Sequence, residues 1–138
     1  MGGHDYTGLS QAFPIVLVVE DNPDLRRTAV DLFEETEVKS AQAVTGEEAL
    51  AFLQDHAPDV RLIFTERELP GRVDGIDLAR VASLRWPWIK VLVPGGKARV
   101  SDVPQNVTFL PERWSAVDIL AQLHWEEARA RASAATLN

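Results

Sequence analysis

The sequence has no cysteine among its 138 residues and few basic side chains. Without thiols the chain can form neither a disulfide framework nor a thiolate zinc site. The 14 Lys and Arg residues stand against 21 Asp and Glu residues, which gives a net charge of -7. Such a charge repels phosphate backbones and provides no basic stripe, so we expect no direct nucleic-acid partner.

Long hydrophobic runs are also missing. The longest, Ile15 to Val19, is far too short to span a membrane. Residues 1–13 lack a basic region followed by an apolar stretch, as a secretory signal would have. We therefore expect a soluble cytoplasmic protein with no membrane partner. The length suits one domain, predicted over residues 14–132, with a flexible N-terminal tail at 1–13 and a C-terminal tail at 133–138.

Short apolar segments alternate with segments of helical periodicity along the chain. Strands are predicted at 15–19, 38–44, 60–65, 89–93 and 107–110. The first is continuously apolar and β-branched, as in a strand covered on both faces. Strands that alternate with helices at this spacing predict an α/β fold, a doubly wound five-stranded parallel sheet of the receiver or flavodoxin-like type.

The helix boundaries carry capping signals. Asn22 and Pro23 open the first helix, Thr45 with Glu48 forms a capping-box signature for the second, and a third follows Asp74-Gly75. For the first helix we expect a buried face of Leu25, Ala29, Leu32 and Phe33.

The end of the chain departs from this regular pattern. From Pro94 to Asn106, two adjacent glycines and two prolines predict that the fourth helix is shortened or replaced by a loop. For the last helix, capped by Ser115 and Asp118, we expect a buried stripe of Val117, Leu120 and Leu123, which Trp125 can extend.

Polar or unusual residues follow four of the predicted strands. Glu20 and Asp21 follow the first strand, Glu66 the third, Pro94 the fourth and Glu112 the fifth. Because the carboxyl ends of parallel strands meet at one edge of the sheet, these residues should converge there. Like charges at about 4 Å repel by about 4 kcal/mol at an effective dielectric near 20, so at least one acid should have a raised pKa unless a cation or Arg113 intervenes.

This arrangement resembles the receiver domain of two-component response regulators. The resemblance rests on the acidic pair Glu20-Asp21, the acid Glu66 followed by a proline loop and Asp74-Gly75, and the aromatic Phe109. It extends from Ile15 to about Leu123. In that family the first acids help to hold magnesium, and an aspartate after the third strand accepts phosphate. A Thr or Ser after the fourth strand and a Lys after the fifth contact the phosphoryl group.

Three positions depart from the family pattern. Glu66 stands at the phosphoacceptor position and adds a methylene, and a displacement near 1 Å can cost about a hundredfold in rate. Pro94 stands at the hydroxyl position, where it can donate no hydrogen bond. Glu112 stands at the lysine position and inverts its charge. Phe109 matches the switch aromatic.

The resemblance and its departures predict a phosphorylation-independent pseudo-receiver, a binding module with no catalytic residue and no required cofactor. Its expected partner is a histidine kinase, a phosphotransfer protein or an output protein. The sequence is also compatible with a homodimer. The alternative is a magnesium-dependent receiver or phosphotransfer site that retains phosphoryl chemistry through Glu66 or Asp21, with Mg²⁺ held by Glu20, Asp21 and Glu66. A flavodoxin-like nucleotide binder would need a phosphate loop after the first strand, and that loop is missing.

Overall fold

The computed structural model describes residues 15–35, 38–95, 103–111, 113–115, 117–119 and 121–122. Its elements, in chain order, are β1 (Ile15–Val19), α1 (Pro23–Glu35), β2 (Lys39–Ala43), α2 (Gly46–His56), a short 3-10 helix (Ala57–Asp59), β3 (Val60–Thr65), α3 (Gly75–Arg85), β4 (Lys90–Pro94) and β5 (Val107–Leu110). Residues 117–119, 121 and 122 are helical. The two predicted tails, most of the predicted last helix and Glu112 lie outside the described residues.

The five strands form one sheet in the order β2-β1-β3-β4-β5, and all neighbours are parallel. β1 lies between β2 and β3, so that Leu17 pairs with both Ala41 and Ile63. All five residues of β1 are buried because the sheet is covered on both faces. The predicted α/β fold with a five-stranded parallel sheet is confirmed. None of the helices in the described part of the chain has the length and hydrophobicity that a membrane span requires.

Two hydrophobic cores flank the sheet because successive strand side chains point to opposite faces. One core joins β-strand side chains to α2 and α3, with Leu53, Ile63 and Leu78 fully buried. The other joins them to α1 and to Ile119, with Phe33 fully buried and in edge-to-face contact with Phe64. Full burial of a side chain such as Phe33 contributes about 2 to 3 kcal/mol.

The predicted helix starts are confirmed. The Thr45 hydroxyl accepts a hydrogen bond from the Glu48 amide at 3.0 Å, and the Glu48 carboxylate accepts one from the Val44 amide at 2.9 Å. At the start of α3, Asp74 and Asp77 each accept a hydrogen bond from the other's backbone amide. These contacts satisfy amides that have no partner inside the helix.

Two predicted core positions are wrong. Leu25 is 48% exposed, because the buried face of α1 runs through Ala29, Val30 and Phe33 and leaves the first turn outside. Val117 is 72% exposed, whereas Ile119 is fully buried. Two helical residues span about 200°, so the two side chains point in nearly opposite directions. Leu120 and Leu123 lie outside the described residues.

The connection between β4 and β5 is described only at its ends. Residues 103–106 are not helical, and the Val107 amide donates to the Pro104 carbonyl at 3.1 Å in a turn. Residues 96–102 lie outside the described part of the chain.

Candidate functional site

The parallel register brings the ends of β1 and β3 together. Val19, the last residue of β1, pairs with Thr65, the last residue of β3. The Glu66 amide donates to the Val19 carbonyl at 3.2 Å, and the Glu20 amide donates to the Ala43 carbonyl of β2 at 3.0 Å. The acids that follow β1 and β3 therefore lie at neighbouring positions on the carboxyl edge of the sheet.

Glu20 is the most unusual of these acids because it is only 4% exposed. One of its carboxylate oxygens, Oε2, accepts a hydrogen bond from the Asn22 amide at 3.0 Å. Burial raises the pKa of Glu20 to about 7; the Asn22 amide opposes this rise, while side-chain hydrogen bonds to Glu66 and Asp21 and the Glu66 charge add to it. The pKa of one strand-end acid is raised as expected, but the main cause is burial of Glu20 and not the repulsion between like charges from which the rise was predicted.

The connection from β1 to α1 is fixed by Asn22 and Arg26. The Asn22 side chain caps α1 by accepting hydrogen bonds from the Asp24 and Leu25 amides at 2.9 and 3.1 Å. One turn later, Arg26 Nη1 donates to the Glu20 carbonyl at 2.9 Å and Nε donates to Gln42 of β2 at 3.2 Å. Arg26 was not among the predicted site residues. Its spacing of one helical turn from the capping Asn22 is the signal that could have found it, since that spacing returns the side chain to the strand ends.

Glu66 is half-buried, and its backbone is packed tightly. Its carbonyl accepts a hydrogen bond from the Thr65 hydroxyl at 3.0 Å. The Gly75 amide donates to the Arg67 carbonyl at 2.8 Å, and a Cβ on Gly75 would lie 2.1 Å from the Glu66 carbonyl oxygen. Only glycine allows this approach, so Gly75 sets the path of the chain after Glu66.

The loop between β3 and α3 is also held from α2. The Glu47 carboxylate accepts a hydrogen bond from the Arg72 amide at 2.9 Å, and this bond lowers the pKa of Glu47. Gly71, with φ of 91°, places its Cα against that same carboxylate. The loop beside Glu66 is therefore folded back onto the first turn of α2.

Pro94 and Phe109 lie on β4 and β5. Pro94 is the last residue of β4, one position further into the strand than predicted, and pairs with Leu110. The next residue, Gly95, has φ of 67° and donates its amide to the Leu110 carbonyl at 2.8 Å. Phe109 is half-buried against the core on the α2 and α3 face. No side-chain hydroxyl is available at Pro94, and the contacts of Glu112 lie outside the described residues.

The carboxylates at this edge have the right chemistry for magnesium, which prefers oxygen ligands. Their arrangement does not fit. Glu20 is buried and accepts a hydrogen bond from the Asn22 amide, and Glu66 and Asp21 lie near enough to help raise its pKa. Across the described ranges, no three His, Cys, Asp or Glu side chains are placed so that they could hold a metal ion.

Fold and strand-end residues together define a receiver-type signalling domain. The response regulator receiver domain family matches residues 16–109, and the chain belongs to this family. Receiver domains are generally non-enzymatic signalling modules that interact with histidine kinases and output domains in two-component systems.

Solved structures support the same fold. A response regulator receiver domain protein from Clostridium thermocellum is 16% identical with a TM-score of 0.77, covering 86% of this chain and 98% of its own. The receiver domain of the hybrid histidine kinase CckA is 25% identical with a TM-score of 0.68, covering 81% and 97%. The receiver domain of NtrX from Brucella abortus is 23% identical with a TM-score of 0.68, covering 80% and 96%.

Proposed function

We propose that this receiver domain works without phosphorylation, as a protein-binding module in a two-component pathway. In this proposal it has no catalytic residue and requires no cofactor. The observation that carries the proposal is the environment of Glu66, the residue at the phosphoacceptor position. Glu66 lies close enough to the buried carboxyl group of Glu20 for its negative charge to help raise the pKa of Glu20.

This environment opposes phosphoryl transfer to Glu66. A nucleophile must reach an incoming phosphoryl group in line, and the extra methylene of glutamate moves the attacking oxygen by about a bond length. The transferred group also carries negative charge, which catalysis must stabilise with cations or donors. Glu66 instead has Glu20 beside it, and Glu112 replaces the family's lysine in the sequence.

The chain also lacks the hydroxyl group through which receiver domains respond structurally to phosphorylation. In the family, a Thr or Ser hydroxyl after the fourth strand is drawn to the phosphoryl group and the switch aromatic turns inward. Pro94 has no hydroxyl to be drawn, and its ring nitrogen carries no proton. A chemical input that interacts equally with both states of a switch cannot shift their populations. The β4 and β5 face should therefore keep one conformation.

The binding surface in this proposal is centred on α1. Leu25, at the start of this helix, is 48% exposed beside the acidic edge. A groove of about 300 Å³ runs along the helix and is lined by Pro23, Asp24, Arg26, Arg27, Val30, Asp31, Glu34 and Gln42. An exposed apolar side chain next to a polar groove suits a docking helix from a histidine kinase, a phosphotransfer protein or an output protein.

The test uses a histidine kinase or output protein that binds the wild-type chain. Its affinity is measured with and without a small phosphodonor and magnesium, for the wild type and for Glu66→Asp. We expect equal affinities in all four measurements, because Pro94 and Glu112 still block coupling when the acceptor is restored. Leu25→Ala should weaken binding, and the exposed Leu84→Ala on α3 serves as the matched control. An affinity change of tenfold or more on adding the phosphodonor would refute the proposal.

A further inference from the structure

We infer that the carboxyl edge of this sheet holds no divalent cation, because Glu20 is buried in a turn fixed by hydrogen bonds and the described acids do not surround a common point. The inference deepens the proposed function and rests on it, since a receiver that accepts no phosphate needs no ion to carry one. It differs from what the acidic composition of the edge predicts, which is a magnesium site formed by Glu20, Asp21 and Glu66.

Hydrogen bonds within the chain hold three oxygen atoms of Glu20 and Glu66 in place. Glu20 Oε2 accepts the Asn22 amide at 3.0 Å, and the Glu20 carbonyl accepts Arg26 Nη1 at 2.9 Å. The Glu66 carbonyl accepts the Thr65 hydroxyl at 3.0 Å and lies against the Cα of Gly75. Each oxygen keeps a second lone pair, but these hydrogen bonds fix its position, so it could not move towards a cation without breaking them.

Burial gives an independent argument. Magnesium dehydrates reluctantly and usually keeps several waters when one or two carboxylates hold it. Glu20 is 4% exposed, so a hydrated ion cannot reach its carboxyl group without opening the turn that Asn22 and Arg26 fix. The guanidinium of Arg26 also places a positive charge on the side of this turn that faces β2.

The side-chain arrangement agrees with both arguments. Glu66 and Asp21 each lie in contact with Glu20, but no three acidic or histidine side chains within the described residues surround a common point that could hold an ion. Glu66 and Asp21 therefore lie beside Glu20 and do not surround a shared cation position.

The test uses Mn²⁺, a paramagnetic ion that occupies magnesium sites, added to the ¹⁵N-labelled full chain. The measurement is made at about pH 8, where the Glu20 carboxyl is mostly ionised and a proton competes little. We expect no selective broadening of the amide signals of Glu20, Asp21 and Glu66 at submillimolar Mn²⁺. Selective broadening of these signals that millimolar Mg²⁺ reverses would overturn the inference.

A variant tests the cause. Arg26→Met removes the guanidinium that binds the Glu20 carbonyl and places a positive charge beside the turn, so we expect this variant to gain the localised broadening that the wild type lacks. If Arg26→Met is also silent while its spectrum shows a folded protein, the turn fixed by Arg26 is not what excludes the ion and the inference is wrong in its cause. If the wild-type protein binds the ion but gains no phosphoryl mass with a phosphodonor, this inference is wrong and the proposed function stands. If the wild-type protein gains a phosphoryl group but shows no localised broadening with Mn²⁺, the proposed function is wrong and this inference stands.

Discussion

Replacing Glu20 with glutamine should make the protein more stable at alkaline pH, and the size of the effect follows from the environment of the carboxyl group. Glu20 has its pKa raised from the ordinary 4.5 to about 7, chiefly by burial. Between these values the unfolded chain has released this proton while the folded chain still binds it. The unfolded state then binds fewer protons, so the free energy of unfolding falls as pH rises from about 4.5 to about 7 and levels off above that.

One pKa unit corresponds to about 1.4 kcal/mol, so the full shift costs the ionised wild type up to about 3 kcal/mol. Glutamine does not titrate and has nearly the same shape. Its Oε1 can accept the Asn22 amide, and its amide can donate to Glu66, so both contacts of Glu20 are retained. Glu20→Gln should therefore stabilise the fold by up to about 3 kcal/mol at about pH 8, and by little at about pH 4.5.

The assay is urea unfolding followed by tryptophan fluorescence at several pH values, with the exposed Glu68→Gln as the matched control. The control should keep the wild-type dependence on pH. The reasoning is refuted if Glu20→Gln shows the same slope as the wild type, or if it is less stable than the wild type at about pH 8.

Two further substitutions test how the site is positioned. Gly75→Ala should destabilise the fold by at least about 2 kcal/mol, because the alanine Cβ would lie 2.1 Å from the Glu66 carbonyl oxygen. Urea unfolding measures the change in the free energy of unfolding, and a change below about 0.5 kcal/mol would contradict this close packing. Thr45→Ala should cost about 1 kcal/mol through loss of the cap on α2, and Thr45→Ser should recover most of it, because the hydroxyl that accepts the Glu48 amide is retained. Equal stabilities of the alanine and serine variants would show that the hydroxyl does not matter.

Much of the fold could be predicted because local sequence and tertiary environment agree. The apolar run at β1 reads as a strand covered on both faces, and its five residues are buried. The caps at Thr45 and Asp74 act within four residues, so their signals are complete in the sequence. Burial on α1 and near Ile119 was harder to predict. Leu25 and Val117 are apolar, but whether a neighbour covers them depends on distant parts of the chain.

The site could be predicted as a set of positions but not as a set of contacts. The predicted strand ends indicated which acids lie at the same edge, because the register of parallel strands places their ends together. They did not indicate that Glu20 would be buried, that Arg26 would donate to the Glu20 carbonyl, or that Glu66 would lie beside Glu20. These contacts depend on side-chain conformations in a crowded turn, which spacing along the chain does not determine.

The most direct test of the central claim is the intact mass of the wild-type protein after incubation with a small phosphodonor and magnesium. A receiver domain that keeps the family's aspartate, hydroxyl and lysine serves as the positive control in the same tube. The control should gain the mass of one phosphoryl group and this chain should gain none. The reason is that Glu66, Pro94 and Glu112 stand in place of the family's aspartate, hydroxyl and lysine. A phosphoryl adduct that peptide mapping places on Glu66 or Asp21 would contradict the central claim.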